Sequence, residues 1–363
     1  MGPTASGTVH VIARCCGKNE CSGKPQALPT ASPLLDAAAT ARRRLDNDKD
    51  AKVIMKTSTD GGQTWGSLQT LSPKGKTHYA NGAGIYDAKR GRLVVQYDYI
   101  PGGSTTPVKD AKYFQITSGD DGRTWSAPRD ITSLLAACNP SGTGNMQVQS
   151  AGSKVQTASG RLVWAGHAHS HHDNVCVWYS DDGGETYATA ARVNGNEVSV
   201  AVVPGAGNNG TLYMNGRQQD GWKGHRTDYW SYDNGASWTQ GAKSPLPEDA
   251  GGACEGSVVG FGGALYFLEP AGDKRVQMVA RCSTDQGKTW AATRGVNGDA
   301  RGGYSDMVGL ANGNLLAVWE DGSHPLGGEA AAAASGGGGL RGGPSDPDSG
   351  NFYAQQLDTS WCK

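Results

Sequence analysis

Ser58-Thr-Asp-Gly-Gly-Gln-Thr-Trp65 is the first of five versions of one phrase. The others are Ser118-Gly-Asp-Asp-Gly-Arg-Thr-Trp125, Ser180-Asp-Asp-Gly-Gly-Glu-Thr-Tyr187, Ser231-Tyr-Asp-Asn-Gly-Ala-Ser-Trp238 and Ser283-Thr-Asp-Gln-Gly-Lys-Thr-Trp290. The shared pattern is Ser-x-Asp-x-Gly-x-Thr/Ser-aromatic, and its chemistry is that of a turn. The Asp side chain accepts bonds from backbone amides ahead of it, Gly supplies a positive φ, and the hydroxyls tie the two ends together. The aromatic is expected to drop into the core and pin the turn. Each copy follows a strand-like run, such as Val53-Ile-Met-Lys-Thr57 or Val175-Cys-Val-Trp-Tyr179, so each reads as the turn of a β-hairpin. Successive copies begin 60, 62, 51 and 52 residues apart. A period near fifty built of strands predicts an all-β chain folded as a propeller, one blade per repeat.

The repeat runs through most of the 363 residues, which predicts one domain over 1–363 rather than two. Gly is frequent, 55 of 363, as many tight turns require. A formal net charge of −1 with no long basic run argues against nucleic acid or an anionic membrane surface as the main partner. Attraction for an anionic ligand must therefore be local. The eight cysteines (15, 16, 21, 138, 176, 254, 282 and 362) match no zinc-binding spacing and read as buried thiols with an occasional disulfide. No run is long and apolar enough to span a membrane, and residues 1–7 show no secretory signal. These features leave the compartment open.

Residues 1–50 are the least regular. Thr8-Val-His-Val-Ile-Ala13 reads as one strand, followed by a Cys, Gly and Pro-rich stretch, an Ala-rich piece over 34–41 and the charged cluster 42–50. From 51 to 320 the rhythm is strand, box turn, strand, Gly/Asn turn, strand. Residues 327–350 are of low complexity and are expected to form a disordered loop. Asn351–Leu357 reads as a last strand. Five boxes and a blade closed by strands from the two chain ends predict a six-bladed β-propeller.

The phrase is the Asp-box, or BNR repeat, and the chain resembles the sialidase (neuraminidase) family. The box also occurs in other hydrolases and in proteins without catalysis, so the activity must rest on other residues. A sialic acid carries a carboxylate on its anomeric carbon. Clustered guanidinium groups bind it in a way that Lys cannot copy. Sialidases are an exception among glycosidases in using a Tyr nucleophile. A neutral phenol avoids repelling the substrate's carboxylate, and a neighbouring Glu takes its proton. Gly303-Tyr304-Ser305-Asp306-Met-Val resembles the family's nucleophile stretch, and Asn196-Glu197-Val-Ser-Val the stretch carrying the activating Glu. Leu212-Tyr-Met-Asn-Gly-Arg217 is similar to the strand that ends in the second Arg. Arg275, eight residues before Ser283, stands where the family places its third. Leu316-Ala-Val-Trp-Glu320 resembles the segment whose Glu buttresses the first Arg.

The N-terminal part departs from the family pattern. Lys24-Pro-Gln-Ala-Leu resembles a degraded Arg-Ile-Pro stretch, which makes the first Arg a Lys. Leu34-Leu35 through Thr40-Ala41-Arg42 resembles the Glu-Ala-Arg strand, and Asp48 then falls at the acid/base position with Asp46 as second choice. A rival alignment uses Gly7–Arg14, with Arg14 as the compensating Arg. His167-Ala-His169-Ser-His-His172 resembles a loop over the propeller mouth, with His167 and His169 at substrate-touching positions, rather than a metal site. The resemblance implies retaining exo-α-sialidase chemistry on sialylated glycans, glycoproteins or glycolipids, with no cofactor and no metal. The degraded stretch keeps a second reading open, a weakened or inactive propeller that binds acidic glycans. A hydrolase acting on another sugar is a third.

Overall fold

Each box folds as its residues dictate. In the first, Ser58 Oγ donates to Asp60 Oδ1 (2.7 Å) and accepts the Gly62 N–H (2.8 Å). Thr64 N–H reaches Asp60 Oδ1 at 2.9 Å, and Thr64 Oγ1 reaches Asp60 Oδ2 at 2.5 Å. The same Ser-to-Asp, Gly-to-Ser and Thr/Ser-to-Asp bonds recur in the other four copies. The fifth-position glycines all have φ between 79° and 101°, the left-handed region where a side chain is strained. These bonds hold the box carboxylates low. Hydrogen bonds from Thr124 and Ser118 bring Asp120 down to about 2.

The computed structural model describes residues 7–15, 32–35, 51–73, 79–101, 111–138, 146–148, 154–168, 175–205, 210–217, 225–247, 254–271, 275–298, 300, 302–320 and 352–362. Its strands form six antiparallel sheets, the blades of a propeller. Blade one holds Val9–Cys15, Lys52–Ser58 and Gln69–Thr70. Blade two holds Tyr79–Asp87, Arg92–Tyr99, Lys112–Ser118 and Arg129–Asp130. Blade three holds Lys154–Gln156, Leu162–Ala168, Val175–Ser180 and Ala188–Val193, with Met146–Val148 paired to the end of the second strand. Blade four holds Val198–Val202, Leu212–Gly216, His225–Ser231 and Thr239–Pro247. Blade five holds Ser257–Phe261, Ala264–Pro270, Met278–Ser283 and Ala292–Gly295. Blade six holds Ser305–Gly309, Leu315–Glu320 and Phe352–Leu357, with Ser32–Leu35 on its outer edge. The first strands of blades two to six line the axis, each packed against the next.

The apolar core is divided into layers between neighbouring blades. Val163, Ala165, Val175 and Val177 of blade three meet Val198, Val200, Leu212 and Met214 of blade four. Val9 of blade one meets Val308, Leu316 and Val318 of blade six. Strands covered on both faces favour near-continuous apolar runs, hence the unbroken burial of Ala264–Pro270, whose one charged residue, Glu269, is paired with Arg226 and Arg281. The boxes serve as joints between blades. A Cβ on Gly62 would lie 2.6 Å from Leu316, one on Gly122 2.9 Å from Met55, and one on Gly287 2.9 Å from Tyr213, each in the preceding blade. Only a bare backbone fits there.

One expectation is corrected. The box aromatics cap the core rather than enter it: Trp65, Trp125, Tyr187 and Trp238 are half-buried and pack against core clusters, and of the five only Trp290 is buried within one. Trp65, Trp125 and Trp238 fold over their own turns, each indole N–H donating to the box glycine's carbonyl at 3.1 to 3.2 Å. The expected N-terminal strand is present as Val9–Cys15 and pairs beside the first box strand, in register Arg14↔Val53. Ser32–Leu35 pairs with Phe352–Leu357. The chemistry accounts for both placements. Val9, Ile12 and Ala13 are buried, as a middle strand requires, whereas Pro33 lacks an amide proton and is tolerated on an edge. The two chain ends do close the ring, as expected. Residues 327–350 lie outside the described residues.

Ser180 is buried, and its Oγ both donates to Asp182 and accepts the Gly184 N–H. Ser180→Ala leaves that amide unpaired inside the blade, which should cost about 1–3 kcal/mol in a denaturant titration. A change indistinguishable from zero would mean that the box does not hold the turn.

Candidate active site

Strand direction decides which end of the ring carries chemistry. Within each four-stranded blade the first strand starts, and the second ends, at the same rim. The box follows the third strand and so lies at the opposite end. Glu197 immediately precedes the first strand of blade four, and Arg217 immediately follows its second. Tyr304 and Glu320 occupy the equivalent places in blade six. Arg275 follows the second strand of blade five. The register of Val9–Cys15 against Lys52–Ser58 brings the backbone of Arg14 to this same rim.

Backbone bonds lock these positions together. Arg217 N–H donates to the Glu197 carbonyl (2.8 Å), and Glu320 N–H to the Tyr304 carbonyl (2.9 Å). Gly302 N–H donates to the Arg275 carbonyl (2.8 Å), tying blade five to the segment that leads into Tyr304. Arg275 itself sits at φ 52°, a left-handed conformation unusual for a side-chain-bearing residue. Such strain persists only where the surroundings over-determine it. A row of buried serines stitches the axial strands. Ser199 Oγ accepts the Val258 N–H (2.7 Å), and Ser257 Oγ meets Ser305 Oγ (3.2 Å).

The side chains converge on Glu197. Tyr304 donates its hydroxyl proton to Glu197 Oε1. Arg217 Nη1 donates to Glu197 Oε2 at 2.5 Å and to the Tyr304 oxygen at 3.3 Å. Arg275 lies over the Tyr304 ring, 5.5 Å from its centroid, with Nη1 4.0 Å from Glu320 Oε1. Both guanidinium groups are buried, and among the described residues neither Nε has a hydrogen-bond partner. Burial, reinforced by the charge of Glu197, raises the Tyr304 hydroxyl well above the ordinary phenol range despite Arg217. Burial also works against the charge of Arg217, but Glu197 and Tyr304 outweigh it and raise its pKa above the usual value. The result is a protonated phenol hydrogen-bonded to a carboxylate and flanked by two buried guanidinium groups.

The structure brings together Tyr304, Glu197, Arg217, Arg275 and Glu320. Glu320 was read as the buttress of the first Arg, and its side chain stands beside Arg275. Lys24, Arg42, Asp46, Asp48 and His169 lie outside the described residues. His167 lies on the second strand of blade three, near the same rim. Among the described residues no cluster of three or more His, Cys, Asp or Glu could hold a metal ion, and no helix is long and apolar enough to cross a membrane.

Sequence reasoning missed three groups here. Lys154 Nζ donates to Asp306 Oδ2 at 2.8 Å. Blades three and six face each other in a ring of six, so this pair crosses the axis. Burial disfavours the Asp306 charge, but Lys154 wins and holds the carboxylate at about 2. Cys254 and Glu255, both buried, lead into the first strand of blade five. Glu255 and Cys254 stand two and three residues before that strand, outside the position that Glu197 and Tyr304 hold in their own blades, so a blade-by-blade alignment does not single them out. The cysteines are also more settled than their spacing suggested. Cys138–Cys176 and Cys282–Cys362 are disulfides, with Cα–Cα distances of 5.5 and 5.7 Å.

The fold and rim together define a six-bladed Asp-box propeller with an acid–phenol–guanidinium cluster on its axis. A family model described as a BNR repeat-like domain matches residues 34–317, and the chain belongs to that family. Its relatives there are sialidases. It is 27% identical over 281 residues to "Sialidase" of Bacteroides fragilis (strain YCH46), covering 68% of this chain and 49% of that protein. It is 26% identical over 269 residues to "Sialidase-4" of Mus musculus, covering 67% and 54%. The chain therefore spans about half the length of these relatives. Among solved structures, the Hadza microbial sialidase Hz136 matches with a TM-score of 0.69 at 19% identity, over 99% of this chain and 65% of that one. At that identity the likeness concerns the fold.

Cys254 tests how tightly the cluster is closed. Burial pushes its thiol up to about 12, although Arg275 and Arg217 pull the other way. A thiol so placed is a poor nucleophile despite two nearby cations. Iodoacetamide at about pH 8 should leave the Cys254 peptide unmodified in the folded protein and alkylate it in denaturant. Rapid labelling of the native state would contradict the packing.

Proposed function

We propose that the protein is a retaining exo-α-sialidase that releases terminal sialic acid from sialylated glycans, glycoproteins or glycolipids. The observation that carries this reading is the three-way contact of Tyr304, Glu197 and Arg217. A phenol hydrogen-bonded to a carboxylate and flanked by guanidinium groups suits a substrate that brings its own negative charge to the reacting carbon. Arg217 and Arg275 hold the substrate carboxylate. Glu197 takes the Tyr304 proton as the phenol oxygen attacks the anomeric carbon. The leaving oxygen receives a proton from Asp48, or from Asp46 as second choice. Water, or another sugar, then releases the sialyl group from Tyr304. Lys24 or Arg14 supplies the third cation of the family pattern.

The test is turnover of a fluorogenic sialic acid glycoside. Tyr304→Phe should reduce it to background, and Glu197→Gln should lower kcat by about 10²–10⁴-fold, the usual worth of a positioned general base. Arg275→Lys keeps the charge but loses the planar fork. It should act mainly on KM, by roughly tenfold or more. Full activity in Tyr304→Phe would exclude this mechanism. Binding of free sialic acid without turnover in the wild-type protein would select the glycan-binding propeller instead.

A further inference from the structure

Glu255 is fully buried in the segment that enters the axial strand of blade five, between the blades that supply Glu197 and Tyr304. Its Oε2 accepts the backbone N–H of Ser305, the residue after Tyr304, at 3.1 Å. Its Oε1 has no hydrogen-bond partner among the described residues. The charged groups around it are mixed, with two carboxylates against one guanidinium that is held elsewhere. Blade four presents Glu197 and Arg226, and blade six presents Asp306. Arg226 is already committed to Glu269 (3.1 Å), to Asn215 and to the Cys254 carbonyl. Lys154 is committed to Asp306. Arg217 and Arg275 flank the neighbouring Cys254 and pair with Glu197 and Glu320. Among the described residues no cation makes an ion pair with Glu255, and burying an unpaired charge is strongly unfavourable.

We propose that Glu255 is a positioning residue: as a neutral carboxylic acid it fixes the Tyr304–Ser305 step of the chain, and its ionisation disables the site at alkaline pH. This rests on the sialidase reading above. Ionised, Glu255 would add a negative charge to a closed space that already holds Glu197 and Asp306. That charge opposes the entry of an anionic substrate and the formation of a phenolate at Tyr304. Burial is the largest cause of the displaced acidity of Glu255, which rises to about 8; the repulsion of Glu197 and Asp306 adds to it, and the Ser305 amide and Arg226 oppose it.

Glu255→Gln is the informative variant, because its amide mimics the protonated acid at every pH. At about pH 6 it should keep kcat/KM for the fluorogenic sialoside within a few-fold of wild type. Its alkaline limb should move to higher pH, while the wild-type limb falls near the Glu255 acidity, about 8. A side chain with a structural role only would leave the two limbs superimposed, and superimposed limbs would overturn the proposal. So would a folded Glu255→Gln that is inactive at about pH 6.

A second readout does not depend on activity. A carboxyl whose folded pKa lies above its unfolded one binds more protons when folded, so its stability contribution is lost as pH rises from 4.5 toward about 8. The wild-type Tm should therefore fall relative to Glu255→Gln across that window, and the offset should then stay constant. A Tm difference independent of pH would overturn the neutral-acid assignment, whether or not the protein cleaves sialosides. Loss of turnover in the wild type alone would count against the sialidase reading and leave this stability test standing.

Discussion

Everything at the rim depends on the ring being closed. Glu197 and Tyr304 come from blades four and six, and Lys154 and Asp306 from blades three and six. None of these pairs lies within one sheet. They meet because six wedges share an axis, and an open stack of the same sheets would separate them. Closure is achieved at three depths. Ser32–Leu35 pairs with Phe352–Leu357 at the outer edge. Val9 packs into the apolar layer of blade six. Gln356 Nε2 donates to the Gly61 carbonyl in the first box at 2.8 Å. Two further crosslinks, Cys138–Cys176 and Cys282–Cys362, secure blade three and the C-terminal residues against blade five.

The propeller separates stability from chemistry by end. The boxes spend their polar groups on themselves, with each Asp and hydroxyl satisfied inside its own turn and each glycine pressed on the preceding blade. The opposite rim is built differently. There the charged groups are shared between blades, the guanidinium groups of Arg217, Arg226 and Arg275 are buried, and Arg275 is held in a strained backbone conformation. Unbalanced charge of this kind weakens a fold, and the axial serines and the Lys154–Asp306 pair supply rigidity close by. The distribution is the one expected of a site that must meet an anion in a fixed orientation.

Most of this fold was legible because its information is local and repeated. Five boxes specify five hairpins whatever surrounds them, and the spacing specifies the blades. The grouping of Tyr304, Glu197, Arg217 and Arg275 came from family resemblance; the first three stand at strand ends that the repeat defines, and Arg275 lies between the second and third strands of blade five. The pairing of the N-terminal segments was not legible, because Val9–Cys15 and Ser32–Leu35 carry no box and their partners, Lys52–Ser58 and Phe352–Leu357, are set by the closed ring. Glu255 and the Lys154–Asp306 pair were missed for a related reason. Their partners are 50 and 152 residues away in sequence, brought together by the ring. Trp65, Trp125 and Trp238 stay half-buried with an indole hydrogen bond to their own turn that composition cannot reveal.

The claim at the centre of this account is that Tyr304 forms the bond to the sugar. A fluorinated sialic acid that forms the glycosyl-enzyme but hydrolyses slowly would trap that bond. Peptide mass spectrometry would then locate it. The account predicts a single adduct on Tyr304, absent when the protein is unfolded before treatment. An adduct on another residue, or none on a protein that turns over sialosides, would contradict it.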